Sequence, residues 1–466
     1  MWPSKHSGVD TCSTFNNDNK AILCLGVVRV KPLGAGAGGG EASSVQAIDE
    51  GVTQTVAFDA ERARVTVDGR EFTYPSHVIA PDMSQEQLYD AFMPPRVTQF
   101  LEGVDVNIMA YGQTGSGKTH TMFGPPGIMA EAGAGKFGDD VNPNYGLFPR
   151  GLLDVVNAVA ELNRGDKRAV LTASVVELGM VGNVDLLLSA AEMKARSKNN
   201  HGTWVNGAVS LGVALDKAPD PPRLYGMTEL TLESPSDTMA VFAGLATRNT
   251  AATLMNDSSS RSHCMAFLTL RVYDPGADTV RTSRFQFVDL AGCERMEDAH
   301  GQHITMDWSD PSQLTGLMTN FSLLMLSACV RELLEFRKKK SNAGKKFSTR
   351  LYMVDLVPLL QKSMTGEAST ACFVNISQAP KNLIHSKFAL DFGETFSKLT
   401  LNPKPTRPQA CVKIVKAAEA LKAEATKALN RANGKKNDRF VTMRQAQVRD
   451  CDQILAILNT LREVRT

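Results

Sequence analysis

NIMAYGQTGSGKTHTMFG, residues 107–124, is a short apolar run that enters a glycine-rich turn and leaves through Lys118 and Thr119. Gly112, Gln113, Thr114, Gly115, Ser116, Gly117, Lys118 and Thr119 fit the phosphate-loop spacing Gly-x-x-x-x-Gly-Lys-Thr. In that pattern backbone N–H groups cradle phosphate oxygens, the lysine reaches the outer phosphates and the threonine hydroxyl meets Mg²⁺. Glycines at 112, 115 and 117 let the backbone take positive φ and approach an anion closely. An incidental Gly/Ser loop would not need a complete match directly after an apolar strand, so the stretch reads as strand, phosphate loop and start of a helix. Nucleotide binding is the starting hypothesis.

Upstream, residues 1–20 read as disordered and Ala21–Val30 as a buried strand ending in Arg29-Val30-Lys31-Pro32. The GAGAGGG that begins at Gly34 is too glycine-rich for regular structure. Val45–Val78 alternates apolar and polar residues, which predicts short antiparallel strands. Ser84 to Leu101 has a cap-like serine and helical spacing, with a break at Pro94-Pro95.

Downstream, the helix pattern stalls at Pro125-Pro126 and resumes at Leu147–Leu162, which predicts a long loop beside the nucleotide. Val170–Leu188 is strand-like, Ala190–Pro222 polar and turn-rich, and Ser234–Thr250 helical in spacing. Next come Asn256-Asp257-Ser258-Ser259-Ser260-Arg261-Ser262-His263 and the strand-like Cys264–Tyr273. Phe285–Leu290 then reads as a strand ending in Asp289-Leu290-Ala291-Gly292-Cys293-Glu294. A strand-terminal aspartate beside a phosphate loop suits holding Mg²⁺ or its water, and the small residues after it allow a turn that senses a third phosphate. Taken singly, a serine cluster is also an ordinary capped turn and an Asp-Leu-Ala-Gly end an ordinary strand-to-loop transition.

At 466 residues the chain exceeds what a single core usually supports, which predicts one large domain with a smaller appendage. Its 43% hydrophobic content is that of an ordinary globular protein. Eight cysteines stand far apart without a Cys-x-x-Cys pair, which argues against a zinc module and fits reduced thiols in a cytosolic compartment. No apolar run reaches the roughly 18 residues of a membrane span. The net charge of +2 hides an asymmetry: residues 403–466 carry 14 Lys and Arg against 6 Asp and Glu, a local +8. Such a tail suits an anionic partner surface or is simply a solvated basic face.

The order of the three motifs, phosphate loop, then Asn-x-x-Ser-Ser-Arg-Ser-His, then Asp-Leu-Ala-Gly-x-Glu, resembles the kinesin motor domain. The match runs from about Leu23 to Leu399. Arg29-x-Lys31-Pro32 resembles the family's adenine-contacting motif with Lys in place of its second Arg, and Gly244-x-x-x-Arg248 resembles the helix entering switch I. Asn320-x-Ser322-Leu323 resembles the start of the switch II helix, and Ala389-Leu390-Asp391-Phe392-Gly393 the last helix of the motor. The resemblance implies an α/β fold, a central mixed and mainly parallel sheet flanked by helices on both faces, with a short C-terminal helical appendage. It divides the chain into a motor over 21–400, a proline-rich linker over 401–410 and helical segments over 411–466. It further implies Mg²⁺-ATP on Gly112–Thr119, with Thr119 and Ser260 as Mg²⁺ ligands and Asp289 acting through water. Arg29, Pro32 and His120 would frame the adenine. Ser259, Ser260, Arg261, Asp289, Gly292 and Glu294 would carry the chemistry, Gly292 on the γ-phosphate and Arg261 with Glu294 as an ion pair between the switches. The implied partner is the microtubule, with tubulin as the contact, in the cytoplasm and cytoskeleton; no nucleic acid is expected.

The track-binding side departs from the family pattern. Tyr352 and Asp355 stand where the family carries Arg and Lys. Just upstream, Arg337 to Arg350 holds seven basic residues and no acid, a substitute contact or a solvated loop. Beyond the linker, Cys411–Ala432 and Phe440–Val464 are amphipathic but too short and alanine-rich for a sustained coiled coil. Docking on the motor, a hairpin and dimerisation all remain open.

Overall fold

The computed structural model describes residues 22–31, 56–60, 62–74, 77–79, 81–135, 141–165, 167–178, 183–188, 214–216, 223–254, 262–294, 311–342, 344–347, 354–379, 382–431 and 439–463. The strand Val106–Gly112 is buried along its whole length and lies at the centre of the sheet. It shows no alternation because both its faces are covered, the usual pattern of an inner parallel strand. Its parallel neighbours are Thr279–Asp289 on one side and Ser369–Ile376 on the other.

From that centre the sheet runs to Leu25–Val30 and His77–Ile79, all parallel. In the other direction it turns antiparallel through His263–Asp274, Arg168–Leu178 and Leu230–Thr231. The sheet is therefore mixed, with a parallel half that carries the phosphate loop and an antiparallel half that does not. The expected short antiparallel strands form a separate three-stranded sheet over 56–73, while His77–Ile79 joins the main sheet instead.

Helices cover both faces. Gln85–Phe92, Pro94–Leu101 and Leu147–Leu162 pack on one apolar cluster, and Pro311–Lys338 and Leu383–Phe396 on the other. Ser84 starts the first helix with a capping box: its hydroxyl accepts from Gln87 N at 3.1 Å, and Gln87 Oε1 accepts from Ser84 N at 2.9 Å. The break falls at Pro94, whose missing N–H costs nothing at the first position of a helix. In Pro311–Lys338 the buried residues Leu326, Cys329, Val330 and Leu333 recur at helical spacing and form one apolar stripe.

One expectation needs correction. The segment 125–146 is not an uninterrupted loop, because Ile128–Gly133 forms a helix that buries Ile128, Met129 and Ala132. At the other end of the chain, Cys411–Arg431 and Arg439–Arg462 form two helices packed on each other. They also pack against the antiparallel half of the sheet, through a cluster of Tyr273, Val280, Cys411, Ile457, Leu458 and Leu461. No helix among the described residues is long and apolar enough to cross a membrane.

Candidate functional site

The phosphate loop follows the central strand because glycine allows one close approach and one left-handed turn. At Gly112, φ is 149°, and a Cβ would lie 2.2 Å from the Asn375 carbonyl oxygen. At Gly117, φ is 98°, and the next residue begins the helix Lys118–Met122. The loop therefore ends on a helix N-terminus, where free backbone N–H groups face outward.

Lys118 is buried and its ammonium donates to the Gln113 carbonyl at 2.8 Å. Burial pushes its pKa down, while Asp289 and Glu294 pull the other way. Thr119 Oγ1 donates to Asp289 Oδ2 at 2.8 Å. The register sets this contact, since Asp289 lies opposite Ala110 on the neighbouring parallel strand. The other carboxylate oxygen, Oδ1, is buried with no hydrogen-bond partner among the described residues.

Asp289 also accepts from Arg248 Nη1 at 2.8 Å, with side-chain exposures of 1% and 3%. Arg248 reaches Glu177 at 3.5 Å and donates to the Ser262 carbonyl at 3.1 Å. Burial by itself would lower the guanidinium pKa; Cys264, Asp289 and Glu177 more than reverse that and hold the group charged. The helix spacing of Arg248 matches that of any surface arginine, so its pairing with Asp289 and Glu177 is not readable from the sequence.

Glu294 sits on the phosphate loop, taking the Thr114 amide at 2.8 Å on one oxygen and the Thr114 hydroxyl on the other. Gly292 is wedged there, since a Cβ on it would lie 2.3 Å from both Glu294 oxygens and from Thr114 Oγ1. Ser259, Ser260, Arg261 and Pro32 lie outside the described residues.

Arg29 donates to Gln85 Oε1 and Thr121 Oγ1, both at 2.9 Å, and burial lowers its pKa to about 10. Gln85 in turn meets His120 Nδ1 at 3.2 Å. Burial, helped by the charges of Arg29 and Lys31, lowers the His120 pKa to about 4. Arg29 and His120 are thus brought together by Gln85, a residue that in sequence looks like part of an ordinary capped helix.

A second relay leaves the Asp289 turn. The Ala291 amide donates to His263 Nδ1 at 3.1 Å, which makes Nε2 the protonated nitrogen of the neutral ring. Nε2 faces Ser322 Oγ at 2.6 Å, and that hydroxyl donates to Thr319 O. One imidazole thus links the turn after Asp289 to the long helix Pro311–Lys338, and burial depresses its pKa to about 3.

On the track side implied by the resemblance, Asp355 accepts from Asn183 Nδ2 at 2.9 Å and is only partly exposed; Tyr352 lies outside the described residues. Arg337 is also occupied, donating to Thr400 Oγ1 and Thr365 O at 2.8 Å. Lys339, Lys340, Lys345 and Lys346 are exposed at the end of the long helix, around a cleft of about 530 Å³.

A family model described as the kinesin motor domain matches residues 29–399. The chain is 26% identical over 372 residues to kinesin-related protein 5 of Dictyostelium discoideum, covering 80% of this chain and 33% of that protein. It is 27% identical over 337 residues to the kinesin heavy chain of Drosophila melanogaster, covering 72% and 30%. The chain spans about a third of the length of these relatives. A solved structure of the KIF14 dimer in its two-heads-bound state, with AMP-PNP and in complex with a microtubule, shares 25% identity with a TM-score of 0.62, covering 83% of this chain and 97% of that one. A fast kinesin structure shares the fold at 22% identity, with a TM-score of 0.61, covering 84% and 96%.

Proposed function

This chain belongs to the kinesin motor-domain family, and from that premise we propose that it hydrolyses Mg²⁺-ATP on its phosphate loop and couples the hydrolysis to microtubule binding. The motor would span 21–400, with 401–410 as linker and 411–466 as helical tail. The observation that carries the reading is the convergence of Lys118, Thr119, Asp289, Gly292 and Glu294 at the carboxyl ends of two neighbouring parallel strands. That is where an open α/β sheet binds its ligands.

The donor set fits the cofactor, because a threonine hydroxyl and a carboxylate with one unpartnered buried oxygen are the hard oxygen ligands that Mg²⁺ prefers. Mg²⁺ bound there would neutralise charge on the phosphate oxygens. Lys118 would add a positive charge from a buried position where attraction is weakly screened. Gly112 to Thr119 would supply backbone donors, and Gly292 would bring the turn after Asp289 against the outermost phosphate. Ser259, Ser260 and Arg261 would complete the site, with Ser260 as the second protein Mg²⁺ ligand and Arg261 pairing with Glu294. Arg29, Pro32 and His120 would hold the base. Movement of the Ala291 turn would pass to the long helix through His263 and Ser322.

Asp355 favours a second reading, a nucleotide-gated microtubule binder without motility. A carboxylate held by Asn183 stands where the family carries a lysine toward an acidic track. The lysines around 339–346 would then provide what attraction remains.

Phosphate release with and without microtubules separates these readings. The motor reading expects strong stimulation, and Lys118→Ala should abolish turnover in both conditions. Binding without stimulation would favour the gated binder. Neutralising Lys339, Lys340, Lys345 and Lys346 should weaken co-sedimentation at low salt while leaving basal turnover near wild type.

A further inference from the structure

The linker runs along the sheet as a bound strand. Asn402 N donates to Gly366 O at 2.8 Å, Thr406 N to Gly103 O at 2.9 Å, and Gln409–Ala410 pairs antiparallel with Thr279–Val280. Thr406 Oγ1 also donates to Thr282 O at 2.6 Å and Pro405 bridges to Val104, but nine residues held at these points, with Lys404 and Arg407 exposed, make a short strand by themselves. The chain stays on the surface beyond the linker: the helix Cys411–Arg431 continues directly from it, and Arg439–Arg462 returns over the same antiparallel strands.

Both ends of this hairpin close on one residue. The Asp278 carbonyl accepts from Cys411 N at 3.0 Å, where the first helix begins. Its carboxylate accepts from Arg462 Nε at 3.2 Å and Nη2 at 2.9 Å, where the second helix ends. Tyr273 OH steadies the same carboxylate at 3.2 Å. Beside it, Arg168 donates to the carbonyls of Leu461, Arg462 and Glu463 at 3.3, 3.1 and 2.9 Å, covering the C-terminal carbonyls that a helix leaves unpaired. Midway, Asp450 takes the Gly226 amide and Gln453 donates to Glu229 O.

We propose that the helices Cys411–Arg431 and Arg439–Arg462 form an intramolecular strap that holds the linker, residues 402–410, against the sheet, with Asp278 as its buckle. Ile457, Leu458 and Leu461 are buried in one cluster with Tyr273 and Val280 of the sheet, and Ala418, Ala425, Ala446 and Cys451 on the same two helices are buried as well. The apolar stripe that two chains would share in a coiled coil is thereby spent inside one chain. The linker moves away from Gly103 and Val280 only when the strap lifts, so release of the linker and opening of the hairpin are one event. The strap stands on the contacts of the described residues and is independent of what the phosphate loop binds.

Hydrogen exchange on the full-length Arg168→Ala/Arg462→Ala variant tests it. The Thr406 amide reports the linker, the Gly226 amide reports the hairpin, and amides of Phe285 to Val288 report the core. The expected result is a loss of protection of about tenfold or more at both Thr406 and Gly226 with the core unchanged, because local opening draws on local contacts. Loss at Gly226 with Thr406 still protected would overturn the proposal, since the linker would then hold without its strap. No loss at either amide would overturn it too, since the two arginines would not be what closes the strap. If the core also loses protection, Arg462→Lys, which keeps the charge but not the two-nitrogen contact, repeats the measurement and is judged by the same two outcomes.

Discussion

The strand Thr279–Asp289 has an aspartate at each end, and the two behave as different kinds of group. Asp289, at its carboxyl end, is 1% exposed in its side chain and meets an arginine that is 3% exposed. Asp278, just before its first residue, is 42% exposed and meets an arginine that is 44% exposed. The bond lengths are nearly the same, 2.8 and 2.9 Å. What differs is the solvent. An ion pair in water contributes little, whereas a buried one has already lost its hydration, so removing one partner strands the other. The buried end is therefore suited to fixing a reactive geometry, and the exposed end to a contact that opens and closes.

The largest expected effect belongs to the buried end. Asp289→Ala takes the 2.8 Å carboxylate from the enclosed Arg248, leaving Glu177 at 3.5 Å, and should lower stability by up to about 3–5 kcal/mol in denaturant titration. Turnover should vanish with it, because Thr119 loses its partner and Mg²⁺, when bound, would lose the carboxylate that holds its water. A loss under about 1 kcal/mol would mean the pair is open to water and the contrast with Asp278 is false.

An intermediate effect comes from His263, which accepts from the turn leaving the same buried site. Its folded pKa of about 3 lies below the ordinary 6.5, so the unfolded chain takes up a proton that the folded chain refuses. The stability contributed is complete above pH 6.5 and is lost as pH falls toward 3, by up to about 1.4 kcal/mol per unit. His263→Asn should flatten that part of the stability profile between about pH 6.5 and 4. An unchanged slope would move the acid sensitivity to other groups.

The smallest effect belongs to the exposed end. Asp278→Asn should cost below about 1 kcal/mol in global stability, within the range of surface pairs. Its signature is local: the hairpin should open more often while the core strands stay protected. A global loss as large as that of Asp289→Ala would show that exposure does not separate the two ends.

The phosphate loop, the capping box at Ser84 and the apolar central strand were legible because each is a local pattern. Glycine at 112 and 117 meets a backbone requirement that its own φ expresses, 149° and 98°. Proline at 94 and serine at 84 act on their own helix ends. The long apolar run of residues 106–112 announces a strand covered on both faces wherever it occurs.

What the sequence could not show is every partner chosen across the fold. Glu294 bonds Thr114 from 180 positions away, Arg248 meets Asp289 across 41, and Arg462 meets Asp278 across 184. Charge and spacing do not give these pairings, since an arginine on a helix looks the same whether it faces water or a buried carboxylate. The C-terminal segment shows the same limit. Its amphipathic pattern demanded that an apolar stripe be covered, but docking, a hairpin and a second chain all satisfy that demand. Only the tertiary structure showed the hairpin and its docking together, because Arg168, Asp278 and the apolar floor of Tyr273 and Val280 come together only once the antiparallel strands have paired.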